Sequence, residues 1–337
     1  MSLNPFKRKT ETKTPALFDE AFLRRLERLT YRTVPTLRGG RMGERRSRNL
    51  RPAQDFNDHR PYAIGDDLRH VDWHAYARHR ELFVKLGEAM QRLDLHILLD
   101  TSPSMSWVPT PHFDVSAAAL DPSAATLKWN RARQLVGALS YLALAGGERL
   151  IITPFAPALG DKFGPTHGKR QIPATLNYLT ALTPSESDSP SDRSAALEEG
   201  LAVYAQTHPQ GGVLLLLSDL WDTLDAEGQD ASQHLAAGLH HLAAPRWQVM
   251  VMHLLTEQEV QPTLKGDFDF EDIETRETLP YRLDQPTLAQ YRLRMRRWCA
   301  DLERVCAGRG AIYSRLLTEW PLEQKVIPYL RQRRLLE

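Results

Sequence analysis

A chain of 337 residues, 42% hydrophobic and 25% charged, is long enough to bury one large core and to carry a smaller companion unit. Its 43 Lys and Arg against 42 Asp and Glu leave a net charge of +1, which argues against a surface that attracts nucleic acid as a whole. No apolar run is long enough for a membrane helix, and none follows the polar start with Lys7, Arg8, Lys9 and Lys13, so the expectation is a cytoplasmic protein without a secretory leader.

Residues 1–18 read as a disordered start and residues 19–92 as an N-terminal extension. The extension opens with an amphipathic helix over Asp19 to Tyr31, with Phe22, Leu23, Leu26 and Leu29 on one side. An Arg/Gly stretch follows through Arg38, Arg41, Arg45, Arg46, Arg48 and Arg51. It reads as a solvated segment or a docking arm for an acidic partner, with phosphate contact as the alternative. The segment Asp55 to Lys85 is polar and aromatic, with a turn at Gly65-Asp66-Asp67; Asp66, Asp67 and Asp72 are candidates to pair with Arg60, Arg69 or Arg78. His70, His74 and His79 share no spacing that unites them with a fourth zinc ligand.

Residues 93–337 alternate between strand-like and helix-like patterns. Strands are expected at Leu93 to Leu99, Arg149 to Phe155, Val213 to Leu217, Trp247 to Leu255 and Ala311 to Leu316. Helices are expected at Leu127 to Ala145, Ile172 to Leu182, Arg193 to Ala205, His234 to Ala243 and Pro286 to Val305, with a last one from Pro321. Asp267 to Glu277 is an acidic stretch without an assigned element. Gly146-Gly147 reads as a helix stop, and so do Gly308 and Gly310. Both cysteines, Cys299 and Cys306, fall seven apart in one helix, a poor geometry for a bridge, so they read as reduced buried thiols. Continuous apolar strands separated by helices predict an α/β fold with a mainly parallel sheet covered on both faces.

The sharpest local signal is Asp100-Thr101-Ser102-Pro103-Ser104, directly after the first apolar strand. Asp219 follows another, Val213 to Leu217. In an open parallel sheet the carboxyl ends of the strands form the ligand-binding rim, so two carboxylates distant in sequence are expected at one edge. Ser102 and Ser104 add hydroxyl oxygens. An all-oxygen set of this kind suits a hard divalent cation such as Mg²⁺ or Mn²⁺. Few charged ligands leave such an ion residual positive charge and one position for an acidic ligand from outside.

Asp100, Ser102 and Ser104 match the Asp-x-Ser-x-Ser signature of the metal-ion-dependent adhesion site in von Willebrand factor A domains, and Asp219 resembles that site's late aspartate. The family's threonine ligand is similar in position to Ser191, with Ser194 and Thr180 as alternatives. Upstream, Asp55-Phe56, Arg60-Pro61-Tyr62, Gly65 to Trp73, Ala77-Arg78 and Leu82 to Lys85 resemble the block that precedes the A-type domain in a bacterial family called domain of unknown function 58. Members of that family resemble partners of MoxR-type AAA+ ATPases. The resemblance implies a von Willebrand factor A-type open sheet and an Mg²⁺ or Mn²⁺ ion held by Asp100, Ser102, Ser104, Ser191 and Asp219. It further implies a protein-interaction module that serves such an ATPase and binds an acidic-residue-bearing client in the assembly or maturation of complexes.

Two other classes stay open. A metal-dependent hydrolase needs a general base near the ion, for which Asp222 and Asp192 are candidates. A nucleic-acid contact would use residues 38–51. Catalysis has little support: there is no Gly-x-Ser-x-Gly elbow and no His-Glu-x-x-His. Ser102 stands where an Asp-x-Asp phosphotransferase needs its second aspartate. The expectation is therefore a binding protein, not an enzyme.

Overall fold

The computed structural model describes residues 51–52, 58–64, 71–87, 94–107, 128–156, 158–185, 193–224, 232–263, 265–271 and 278–333, with Phe18 and Arg24. Arg24 is helical; the rest of the expected Asp19 to Tyr31 helix, the Arg-rich segment before Arg51, the Gly65-Asp66-Asp67 turn and Ser191 lie outside the described residues. The described residues fall into two compact units, one drawn from Thr36–Leu93 and one from Asp94–Glu337 with Phe18 and Arg24.

In the smaller unit, β1 (Arg51–Pro52), β2 (Asp58–Pro61) and β3 (Phe83–Gly87) form an antiparallel sheet in the order β1-β3-β2. Val71 bridges to Val84 across it, and both valines are buried. Helix α1 (Trp73–His79) starts because the Asp72 carboxylate accepts the His74 and Ala75 backbone N–H groups at 2.9 and 3.2 Å. Asp72, read from sequence as an ion-pair candidate, thus serves as a helix cap.

The larger unit holds β4 (Asp94–Asp100), α2 (Lys128–Ala145), β5 (Arg149–Phe155), β6 (Phe163–His167), α3 (Ile172–Ala181), α4 (Arg193–Thr207), β7 (Gly212–Ser218), α5 (Ser232–His241) and β8 (Trp247–Leu255). It continues with the short α6 (Glu257–Val260), then β9 (Gly266–Glu271), β10 (Thr278–Leu283), α7 (Gln285–Gly308), β11 (Ile312–Leu317) and α8 (Ile327–Gln332). The main sheet runs β11-β8-β7-β4-β5-β6, parallel except for β6 at one edge. That is the open, mainly parallel α/β architecture expected from the sequence, and it is consistent with a von Willebrand factor A-like fold.

The central strands are apolar because both faces are covered. Leu98, Leu214, Leu216, Val249, Val251 and Tyr313 pack on one side against Leu197 and Leu201 of α4, Leu235 and Leu239 of α5, and Trp298 and Leu302 of α7. Alternate residues Leu95, Ile97, Leu99, Val213, Leu215 and Leu217 are buried toward the opposite face, where α2 packs over β4 and β5. Each such side chain contributes about 1.5–3 kcal/mol of burial. The α4 layer approaches β5 closely at Gly200, where an added Cβ would lie 2.6 Å from the Phe155 ring. Cys299 and Cys306 are free thiols buried in α7, and burial pushes the Cys306 thiol up to about 12.

Among the elements not expected are β6 and the ribbon of β9 and β10. β6 holds Gly164 and Pro165; as an edge strand it tolerates a proline. At Gly164 (φ 95°) an added Cβ would stand 2.5 Å from the Leu150 carbonyl. The acidic stretch from Asp267 forms β9, which pairs with β10 in a separate two-stranded ribbon. Phe268 and Phe270 lie opposite Tyr281 and Leu279 in that ribbon, while Asp267 and Asp269 lie opposite Arg282 and Pro280.

Candidate functional site

The rim at the carboxyl ends of β4, β7 and β8 brings together groups distant in sequence. β4 and β7 are neighbours in register Leu99 to Leu217, so Asp100 emerges beside Ser218, with Asp219 next along the chain. The Ser218 hydroxyl donates to Asp100 Oδ2 at 2.5 Å, and the Ser102 backbone N–H donates to Asp100 Oδ1 at 2.8 Å. Pro103 starts a single 3-10 turn that returns Ser104 over Ser102, and their hydroxyl oxygens lie 2.9 Å apart. Asp100, Ser102, Ser104 and Asp219 are 1%, 3%, 8% and 1% exposed.

A buried cation stands beside them. Lys128, the first residue of α2, is fully buried. Its ammonium donates to Asp219 Oδ2 at 2.9 Å and to Glu259 Oε1 at 2.5 Å. Glu259 is held in turn by a capping box after β8: its Oε2 accepts the Thr256 backbone N–H at 2.7 Å and the Thr256 hydroxyl at 3.0 Å. The Trp221 indole N–H adds a bond to Glu259 Oε1 at 3.2 Å, and Trp221 stacks on Trp298 at 5.0 Å. His253 lies opposite Ser218 in the β7–β8 pairing and shares a 2.6 Å hydrogen bond between Nδ1 and the Tyr313 hydroxyl.

Electrostatics follow from burial and neighbours. Burial, then the nearby Asp219 charge, raise the Asp100 carboxyl to about 6, against the hydrogen bonds from Ser102 and Ser218. For Lys128 burial opposes the charged form, but Asp219 and Glu259 outweigh it and the ammonium is held above its ordinary value. Burial lowers His253 to about 3, so its ring is neutral at pH 7.

The donor set suits a hard cation. All available groups are carboxylate or hydroxyl oxygens. The 2.9 Å between the two serine hydroxyls matches the spacing of about 3 Å between adjacent oxygens in an octahedral shell with bonds of about 2.1 Å. Among the described residues no three His, Cys, Asp or Glu side chains group together as metal ligands.

Of the residues singled out from sequence, Asp100, Ser102, Ser104 and Asp219 meet at this rim. Ser191 and Asp192 lie outside the described residues, and Ser194 is described only as part of α4. The Ser185 N–H donates to the Thr101 carbonyl at 2.6 Å. The Thr180 hydroxyl is used within α3, donating to the Leu176 carbonyl at 2.8 Å. Asp222 sits in a single 3-10 turn, Trp221–Thr223, just after Asp219. Lys128, Ser218 and Glu259 were not foreseen. The Thr256-x-x-Glu259 capping box directly after an apolar strand was a legible sign for Glu259; nothing local marked Lys128.

The sequence profile of the family described as "Protein of unknown function DUF58" matches residues 58–299. No curated protein matches the chain. Solved structures similar to parts of it include two from Bacteroides. One is conserved hypothetical protein BatB from Bacteroides thetaiotaomicron, at 14% identity and TM-score 0.37, with 72% of this chain and 99% of that one covered. The other is an aerotolerance-related membrane protein from Bacteroides fragilis NCTC 9343 with multiple mutations to serines, at 16% identity, TM-score 0.38 and the same 72% and 99% coverage. Among the described residues no helix is long and apolar enough to cross a membrane. The rim with its acidic and hydroxyl oxygens falls inside the matched span, and the chain belongs to the DUF58 family.

Proposed function

We propose that the chain is a metal-ion-dependent protein-binding module, an adaptor for a MoxR-type AAA+ ATPase in the assembly or maturation of protein complexes. The observation that carries the metal part is the meeting of Asp100 and Asp219 from adjacent strands with two serine hydroxyls 2.9 Å apart. Asp100, Ser102, Ser104 and Asp219 would hold Mg²⁺ or Mn²⁺, with Ser191 as the further hydroxyl. When bound, the ion supplies a Lewis-acidic point for a client's carboxylate. The chain's own groups fix its surroundings: the Ser102 N–H and Ser218 hydroxyl orient Asp100, and Lys128 orients Asp219. The ATPase partner rests on the family resemblance alone.

The test is calorimetry of Mg²⁺ and Mn²⁺ with the wild type and Asp100→Ala, followed by affinity capture of partners with and without a chelator. Ion binding that Asp100→Ala removes, and an AAA+ ATPase captured only with the ion present, are the expected results. No ion binding at millimolar concentration ends the metal reading. Capture unaffected by the chelator ends the ion-dependent adaptor role.

A further inference from the structure

The ion site already contains a cation of its own. Lys128 is fully buried, and its two carboxylate partners have side chains only 2% and 10% exposed. They come from two different strand ends, Asp219 after β7 and Glu259 after β8, so the ammonium ties together three elements around one rim. Glu259 is fixed by the Thr256 N–H and hydroxyl and by the Trp221 indole N–H. Asp219 is therefore shared, with Oδ2 committed to Lys128 and Oδ1 facing the Trp221 N–H at 3.5 Å.

The formal charges decide what the site accepts. Asp100, Asp219 and Glu259 contribute three negative charges and Lys128 one positive, a net of minus two when all are ionised. A divalent ion neutralises that sum; a trivalent ion overshoots it. Without the ammonium the same pocket carries minus three, and a second cation no longer competes for Asp219. In a water-poor site such a difference is felt at short range.

Resting on the metal-site reading above, we propose that Lys128 is the specificity-determining residue of the ion site. Its fixed charge weakens cation binding, keeps the site matched to divalent ions, and leaves the bound ion in need of an acidic ligand from a partner. It acts through Asp219 without itself being a ligand.

The experiment compares the wild type with Lys128→Met and Lys128→Arg. Mn²⁺ affinity is read by electron paramagnetic resonance, and Tb³⁺ affinity by luminescence sensitised through Trp221 and Trp298. Near-ultraviolet circular dichroism confirms folding. Lys128→Met is expected to bind Mn²⁺ about tenfold tighter or more, with a larger gain for Tb³⁺; Lys128→Arg is expected to stay at the wild-type value. Should Lys128→Met fail to fold, Lys128→Gln removes the charge while keeping a polar group between Asp219 and Glu259, and is expected to exceed the wild type as well.

Equal or weaker binding in the folded charge-removed variant overturns the role of Lys128 while leaving the ion site standing. A gain shared by Lys128→Arg overturns it too, since shape and not charge would then be the cause. Tight binding in the variant with none in the wild type supports Lys128 as the controlling charge and overturns the ion-dependent function of the native chain. Binding in neither overturns both.

Discussion

Asp100→Asn tests the electrostatics of the rim directly. In chelator the Asp100 carboxyl titrates near 6 instead of 3.8, a difference that corresponds to about 3 kcal/mol against its ionised form. The folded pKa is raised, so the associated stability is complete below pH 3.8 and is lost as pH rises through about 6. Asparagine does not titrate. It costs about 1 kcal/mol where it no longer accepts the Ser218 hydroxyl. The variant is therefore expected to be about 1 kcal/mol less stable than the wild type at pH 4 and about 2 kcal/mol more stable at pH 7.5. Urea unfolding of both proteins in EDTA across this range measures the difference. The difference is the quantity to follow, because buried histidines titrate in the opposite sense over the same window. A gap that does not change with pH, or that grows toward acid, refutes the reasoning.

Two further outcomes follow from the core. His96 is held to about 4, by burial first and then by His208, so its contribution is complete above pH 6.5 and is lost as pH falls through about 4. His96→Gln is expected to shrink the acid loss of stability between pH 6.5 and 4 by about 3 kcal/mol in urea titrations; an unchanged acid limb counts against it. Gly200→Ala forces a methyl to within 2.6 Å of the Phe155 ring, and thermal melting is expected to show a loss of about 1–3 kcal/mol.

Most of the sheet was legible because its strands are buried on both faces. Five uninterrupted apolar residues, Val213 to Leu217, leave little choice but a central strand, and the observed β7 adds only Gly212 and Ser218. The rule that ligands gather at the carboxyl ends of such strands then brought Asp100 and Asp219 to one rim. β6 escaped because an edge strand holding Gly164 and Pro165 has no apolar period. β9 was overlooked although Asp267 to Glu271 alternates acidic and aromatic residues, the mark of a strand with two unlike faces. Lys128 was illegible for a different reason. A lysine at a helix start reads as solvated, and only the approach of Asp219 and Glu259, 91 and 131 residues away, makes it an interior charge.

These separations also order events during synthesis. β4 lies in the middle of the sheet, yet its partner β7 follows more than a hundred residues later in the chain, as the 118-residue gap between Asp100 and Ser218 records. Non-local parallel pairing is slow to form. A nascent chain that has reached Asp219 but not Glu259 holds Lys128 with half of its anionic company. The pocket comes into being only once the ribosome has delivered the turn after β8, and a fragment ending earlier has no such pocket to offer.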